Sequence, residues 1–299
     1  MSEQLSLGID IGGTKIAIAL VDKQGNISNR KEYLSDTRSD ETLFLTLTNG
    51  IDEVMNDSGL TIRDLKGFGI GIPGLVDLDK GVAVFQNNLP WENFLIVKKL
   101  NEYYGETLNV VIDNDVKMAA YAEYKMANLL QDEVFTYITL STGIAATTII
   151  NNQILRGNGF SGEIGLDLIY SEEGYRTLEE VAAGPAIQKF VQDKLGDYSI
   201  TTKQVFELYK EGDSVAEKAI NKSVHSMALS IYSLINLLDP KKIVLGGSVI
   251  YYNPFYIELL KDELKKILLD QQHHILDSIS ATTLGRDNGI IGAGLKVFN

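Results

Sequence analysis

Leu5-Ser6-Leu7-Gly8-Ile9-Asp10-Ile11-Gly12-Gly13-Thr14-Lys15-Ile16-Ala17-Ile18-Ala19-Leu20-Val21 is the stretch that decides the fold. An apolar run ends in an acid at Asp10, Gly12-Gly13-Thr14 makes a tight turn, and a second run covers Lys15 to Val21. Turn residues Asp22 to Asn26 and a β-like stretch near Ile27 to Tyr33 complete a pattern of strand, glycine turn, strand, polar turn, strand. Helical spacing then runs through Leu43, Leu47, Ile51 and Val54 over Glu41 to Met55, and Lys66 to Ile72 returns to strand. The pattern predicts a helix after Trp91 to Tyr104, a buried strand at Asn109 to Ile112, and an alanine-rich helix over Val116 to Ala127.

The second half repeats the plan. Val134 to Leu140 reads as a strand, Ser141-Thr142-Gly143 as a glycine turn, Ala145 to Ile150 as a second strand, and Gln153 to Leu155 as a third after Asn151-Asn152. Helices are predicted at Leu178 to Leu195, Thr202 to Lys210, Ser214 to Leu238 and Phe255 to Leu269, with strands at Ile243 to Leu245 and Ser278 to Thr283. A Gly- and Ala-rich helix follows Asn288. Two copies of a hairpin-first unit predict an α/β protein of two similar domains around a cleft. The boundary falls near Leu129 to Glu133, dividing the chain into 1–130 and 131–299, with the last helix packing back on the first domain.

Composition narrows the function. The 299 residues include 40 acids against 27 Lys plus Arg, a net charge of −13, with no basic run to offset it. Such a surface repels phosphate backbones and anionic lipid, which argues against nucleic acid as a partner. The sequence has no cysteine, so disulfides, thiolate zinc sites and cysteine nucleophiles are excluded, and the reducing cytoplasm is the expected compartment. Val134 to Leu155 carries no charge, but its five threonines, its serine and Asn151-Asn152 suit buried strands better than a membrane span.

The glycine turns carry the chemistry. In Asp10-Ile11-Gly12-Gly13-Thr14-Lys15, bare glycines let backbone N–H groups approach phosphate oxygens, and an acid at a strand end can hold hydrated Mg²⁺. Ser141, Thr142 and Gly143 occupy the equivalent place in the second half, and two such turns facing one cleft suit a polyphosphate. Gly246-Gly247-Ser248 is a third glycine turn, where a purine or ribose can lie against backbone. Gly69-Ile70-Gly71-Ile72-Pro73-Gly74 matches the dinucleotide pattern, but Leu75 to Gly81 reads as strand and turn, with no helix opening on a pyrophosphate. That reading is rejected.

Asp113-Asn114-Asp115 closes a strand and starts a helix. An aspartate there can cap the helix, or accept the proton of a substrate hydroxyl. Glu163, in Gly162-Glu163-Ile164-Gly165, and Glu179 can bind sugar hydroxyls or stand solvated on a helix rim. His225 falls off its helix's apolar stripe, and His273-His274 lacks a partner at metal spacing. Trp91, behind Asn87-Asn88-Leu89-Pro90, packs in the core or under the cleft, and Asn88 is a substrate-binding candidate.

Together these residues resemble the ROK family of repressors, uncharacterised frames and sugar kinases, within the hexokinase and actin-like ATPase superfamily. The likeness runs through Asp10 to Lys15, Gly71 to Asp77, Asn114-Asp115 with Glu123, Ser141 to Ala146, Gly159 to Gly165, Glu179, Leu245 to Val249 and Gly285 to Gly294. It implies a two-domain, ribonuclease H-like fold, a sugar kinase using ATP and Mg²⁺, and a homodimer. It makes Asp115 the catalytic base, Asn114, Glu163 and Glu179 sugar ligands, and the glycine turns ATP loops, with Asp10 as the Mg²⁺ acid.

Departures from the pattern matter as much. The family usually follows Glu-Ile-Gly with a zinc-binding histidine, and Leu166 stands there instead. The three zinc cysteines are missing and the Asp167 to Thr177 loop is short, so zinc is not expected. An apolar leucine tolerates a bulky aglycone, which favours a β-glucoside such as cellobiose over a free hexose or N-acetylmannosamine. Ala145-Ala146 replace the usual glycines and are expected to crowd the second turn. That alteration is the main support for a rival reading as a non-catalytic sugar sensor. Asp10 lies too near the start for a preceding DNA-binding helix-turn-helix.

Overall fold

Strands buried on both faces read as unbroken apolar runs, and the first strands of each half follow this rule. The computed structural model describes residues 4–86, 88–171 and 174–299; Asn87 and two residues of the 167–177 loop lie outside them. The chain forms β1 (Leu5–Ile11), β2 (Lys15–Asp22), β3 (Ile27–Leu34), α1 (Asp40–Ser58), β4 (Leu65–Ile72), β5 (Leu75–Asp77), β6 (Val82–Phe85), β7 (Glu92–Phe94), α2 (Ile96–Tyr104), β8 (Val110–Asn114) and α3 (Asp115–Met126). There follow β9 (Phe135–Leu140), β10 (Ile144–Ile150), β11 (Gln153–Ile154), β12 (Leu168–Ser171), β13 (Gly174–Thr177), α4 (Leu178–Ala182), α5 (Gly184–Leu195), α6 (Thr202–Lys210) and α7 (Ser214–Leu238). The chain ends with β14 (Lys242–Gly246), α8 (Ser248–Tyr252), α9 (Tyr256–Lys265), β15 (Ile279–Ala281) and α10 (Asn288–Lys296).

Two compact units result, one running to Asn128 and resuming at Asp287, the other spanning Leu129–Arg286. Their sheets share a topology: β3-β2-β1-β4-β8 in the first and β11-β10-β9-β14-β15 in the second. In each, a hairpin pairs antiparallel strands across a glycine turn, and the first strand then pairs in parallel with a later one.

The first unit buries Leu7, Ile9, Ile16 and Ile18 of the hairpin against Leu43, Leu47 and Ile51 of α1. Ser39 caps α1 by accepting from Thr42 N, and Gly59 closes it in the left-handed region at φ 70°. The edge strand β3 is largely exposed and carries Arg30, Lys31 and Glu32, charges that discourage pairing with another chain. On the other face α10 approaches so closely that a Cβ at Gly69 would lie 1.8 Å from Ala293 O, and one at Gly292 1.7 Å from Met118 O. The second unit buries Ile138 and Leu140 with Ile220, Met227 and Ile231 of α7 and Leu260 of α9.

Three local expectations change. The single helix predicted over Leu178 to Leu195 is two, because Ala183 is extended (φ −67°, ψ 162°) and Pro185 opens α5. A proline inside a continuous helix would remove a backbone hydrogen bond and clash with the preceding turn. Trp91 is followed by the short strand β7 before α2 begins. It is buried in the core, with its ring stacked on Phe94 at 4.5 Å and Nε1 donating to Asp40 O. The shortened 167–177 loop forms the β12–β13 hairpin, with Tyr170 opposite Tyr175.

Candidate active site

In the first unit the carboxyl ends of three parallel strands lie side by side. Asp10 of β1 pairs in register with Gly71 of β4, which pairs with Asp113 of β8. Gly71 leaves this floor open: its Cβ would lie 3.4 Å from Asp115 Cα and 3.5 Å from Asp10 Oδ1. Asp115 opens α3, half-buried, and its Oδ1 accepts from Val116 N at 2.9 Å. Burial first, then repulsion from Asp115 and Asp287, pushes the Asp10 carboxyl from 3.8 up to about 7.

Asp287 is the member of this acid group that sequence reasoning missed. It arrives through α10, where a Cβ at Gly289 would sit 2.8 Å from Asp10 Oδ2. Arg30 Nε donates to Asp287 at 2.7 Å and compensates part of its charge. The signal was the spacing of Gly289, Gly292 and Gly294, which marks a helix pressed onto backbone. Glu123 lies buried nearby on α3, accepting from Asn288 Nδ2 at 3.3 Å.

Asn114 is more occupied than a simple ligand. Its Oδ1 accepts from Val116 N and Lys117 N as the cap of α3, while Nδ2 donates to Gly74 O at 3.1 Å. One amide hydrogen is left for a substrate. The first glycine turn is closed by Gly12 N donating to Lys15 O at 2.8 Å. Gly13 abuts Asn88, whose Cβ would be 2.8 Å from a Cβ at that glycine, and Ser35 N donates to Thr14 O. Lys15 reaches sideways instead, with Nζ 2.8 Å from Glu32 on β3. Gly69 to Gly74 run along β4 into β5 with no helix between, as the rejection of the dinucleotide reading requires.

In the second unit the loop Ser141–Gly143 is closed by Leu140 pairing with Ile144 and by Ser141 N donating to Gly143 O at 2.9 Å. The expected crowding by Ala145 and Ala146 does not occur. Both lie in β10, in register with Thr139 and Ile138, where a Cβ fits the pleat. The third glycine turn packs against the second: a Cβ at Gly247 would lie 2.3 Å from Leu140 O, a Cβ at Gly246 2.1 Å from the Tyr137 hydroxyl, and Ser141 Oγ and Ser248 Oγ are 2.9 Å apart.

Glu163 and Glu179 behave differently. Glu163 is exposed, and its carboxylate has no hydrogen-bond partner among the described residues. Glu179 sits on the first turn of α4, and its Oε2 accepts from Ile144 N at 3.1 Å, beside the glycine turn. The Glu163 loop is not free of the core, since Gly165 is buried and Ala146 N donates to Gly162 O at 2.7 Å. Leu166 follows it, 59% exposed. His225 is exposed and pairs with Glu263. Among the described residues no group of three or more His, Cys, Asp or Glu is arranged to hold a metal ion, and no helix is long and apolar enough to cross a membrane.

Comparison with known proteins gives these sites a context. The ROK family model matches residues 6–297. A glucokinase of Halalkalibacterium halodurans is 28% identical over 99% of this chain and 96% of its own length. An N-acetylmannosamine kinase of Escherichia coli O6:H1 is 31% identical over 82% of this chain and 83% of its own. Among solved structures, a ROK family glucokinase from Streptomyces griseus in complex with glucose and AMPPNP superposes with a TM-score of 0.78 at 25% identity, covering 97% of this chain and 98% of that one. Twin sheets of one topology, glycine turns at matching places and this end-to-end likeness agree: the chain belongs to the ROK family, as a carbohydrate kinase with the actin-like two-domain ATPase fold.

Proposed function

We propose that this kinase transfers the γ-phosphoryl group of ATP to the C6 hydroxyl of a hexose unit, with Asp115 as general base, and that its substrate is a β-glucoside such as cellobiose. The observation that carries the catalytic part is the placement of Asp115 at the start of α3, across Gly71 from Asp10. A half-buried carboxylate there can take the hydroxyl proton as the oxygen attacks in line. Asn88, Asn114, Glu163 and Glu179 would orient the sugar. The N–H groups of Gly12 to Thr14 and of Thr142-Gly143 would hold phosphate oxygens, and Gly246 to Ser248 would lie against the adenosine.

Mg²⁺ fits the residues present. Burial, then repulsion from Asp115 and Asp287, raises the Asp10 carboxyl to about 7, and a divalent cation would relieve the repulsion. Magnesium usually takes one or two carboxylates together with substrate phosphates, so a lone Asp10 ligand suffices. When bound with ATP, the ion supplies charge neutralisation on the phosphates. Lys15, held by Glu32, would reach a phosphate after releasing that partner.

The β-glucoside reading rests on Leu166. An exposed apolar side chain beside Glu163 suits an aglycone or second sugar ring. The names of the glucokinase and N-acetylmannosamine kinase relatives favour free hexoses, so the test must include both classes. ADP release measured with cellobiose, glucose, fructose and N-acetylmannosamine should be fastest with cellobiose. A preference for unsubstituted glucose would overturn this substrate. The cysteine-free sequence suits work in the reducing cytoplasm, and family membership suggests a homodimer.

A further inference from the structure

Beyond its proposed part as a sugar ligand, we infer that Glu179 is a positioning residue for the nucleotide: it fixes the second glycine turn by accepting the N–H of Ile144. The inference rests on the kinase reading, which assigns Ser141 to Gly143 to the phosphates, but the observations behind it are separate. Glu179 Oε2 is 3.1 Å from Ile144 N, the first amide after the turn. A Cβ at Gly143 would meet that same oxygen at 2.5 Å, so this glycine makes room for the carboxylate, while Gly165 makes room for Ile144 O, which a Cβ there would meet at 2.3 Å.

Opposite this tether, Gly184 N donates to Ser141 O at 2.9 Å, which holds the other end of the turn. Glu179 itself is fixed by its helix: Thr177 and Glu180 form a capping box that starts α4 one residue earlier. A carboxylate bound to a backbone N–H is a charge-assisted contact, roughly twice as strong as a neutral one. It takes the Ile144 amide away from any ligand and leaves the Thr142 and Gly143 amides to define the phosphate cradle. The second carboxylate oxygen, Oε1, stays available to a substrate hydroxyl. One side chain therefore serves the turn with one oxygen and the sugar side with the other.

The test is calorimetric binding of AMPPNP, without sugar, to the full chain and to the Glu179→Ala and Glu179→Gln variants, with hydrogen exchange of the segment 141–146 followed in each. Glu179→Ala should bind AMPPNP at least about tenfold more weakly and exchange faster in that segment. Glu179→Gln keeps a carbonyl oxygen to accept from Ile144, so it should stay within about threefold of the parent. A purely sugar-binding glutamate would leave AMPPNP affinity unchanged in both variants, and that result overturns the inference while the kinase reading stands. Equal losses in Ala and Gln, with unaltered exchange, also overturn it. A parent protein that binds no AMPPNP at all removes the kinase reading and the inference together, and is distinct from either.

Discussion

Asp10→Asn should make the protein more stable at neutral pH while abolishing its activity. Asp10 is wedged between Gly71 and Gly289, and burial, then repulsion from Asp115 and Asp287, pushes its carboxyl from 3.8 up to about 7. An acid whose folded pKa is raised binds its proton more tightly in the folded state than in the unfolded chain. Wild-type stability therefore falls as pH climbs from about 4 to about 7 and then levels. The full displacement corresponds to about 4 kcal/mol. Because Asp10 is partly exposed and Arg30 offsets Asp287, screening reduces this to about 2 kcal/mol. Asparagine has the same shape and no charge, so it escapes that penalty. For a unit of this size the gain is roughly 4–8 °C in Tm at pH 8, vanishing near pH 4. Thermal unfolding of both proteins at pH 4, 6 and 8 measures it. An equal Tm at pH 8, or a gain that persists unchanged at pH 4, would show that the Asp10 charge does not destabilise the fold.

Two substitutions test the packing that places the site. Asn114→Ala removes the cap of α3 and the donor to Gly74 O, and should cost about 1–2 kcal/mol in urea unfolding, whereas Asn114→Asp keeps the cap but not the donor and should recover only part of it. Gly69→Ala puts a methyl group 1.8 Å from the Ala293 carbonyl oxygen, backbone against backbone, and should cost on the order of 3 kcal/mol and loosen α10, read as faster hydrogen exchange over 288–296.

The twin sheets were legible because each hairpin announces itself locally: apolar runs of strand length bracket Gly12-Gly13-Thr14 and Ser141-Thr142-Gly143, and no long-range information is needed. Asp10 and Asp115 were legible because one stands near the end of a strand and the other directly after one, at a helix start. Asp287 was not, since its place beside Asp10 depends on α10 crossing back over β1, a contact between residues far apart in sequence. Ala145 and Ala146 misled for a similar reason. Whether an alanine crowds a turn depends on where the strand register begins, and β10 begins one residue before them. Glu179 reads as a rim acid until the fold brings Ile144 N to it, and the β12–β13 hairpin arose in a loop whose sequence carries only weak alternation.

In the proposed mechanism a single carboxylate, Asp115, primes the sugar hydroxyl for phosphoryl transfer. This role is tested most directly by comparing sugar-dependent ADP formation and sugar affinity in the parent chain and in Asp115→Asn. In the variant, sugar binding should stay within a few-fold of the parent and turnover should fall at least about a hundredfold, within the range general-base loss produces. Near-normal turnover in the variant would contradict that role.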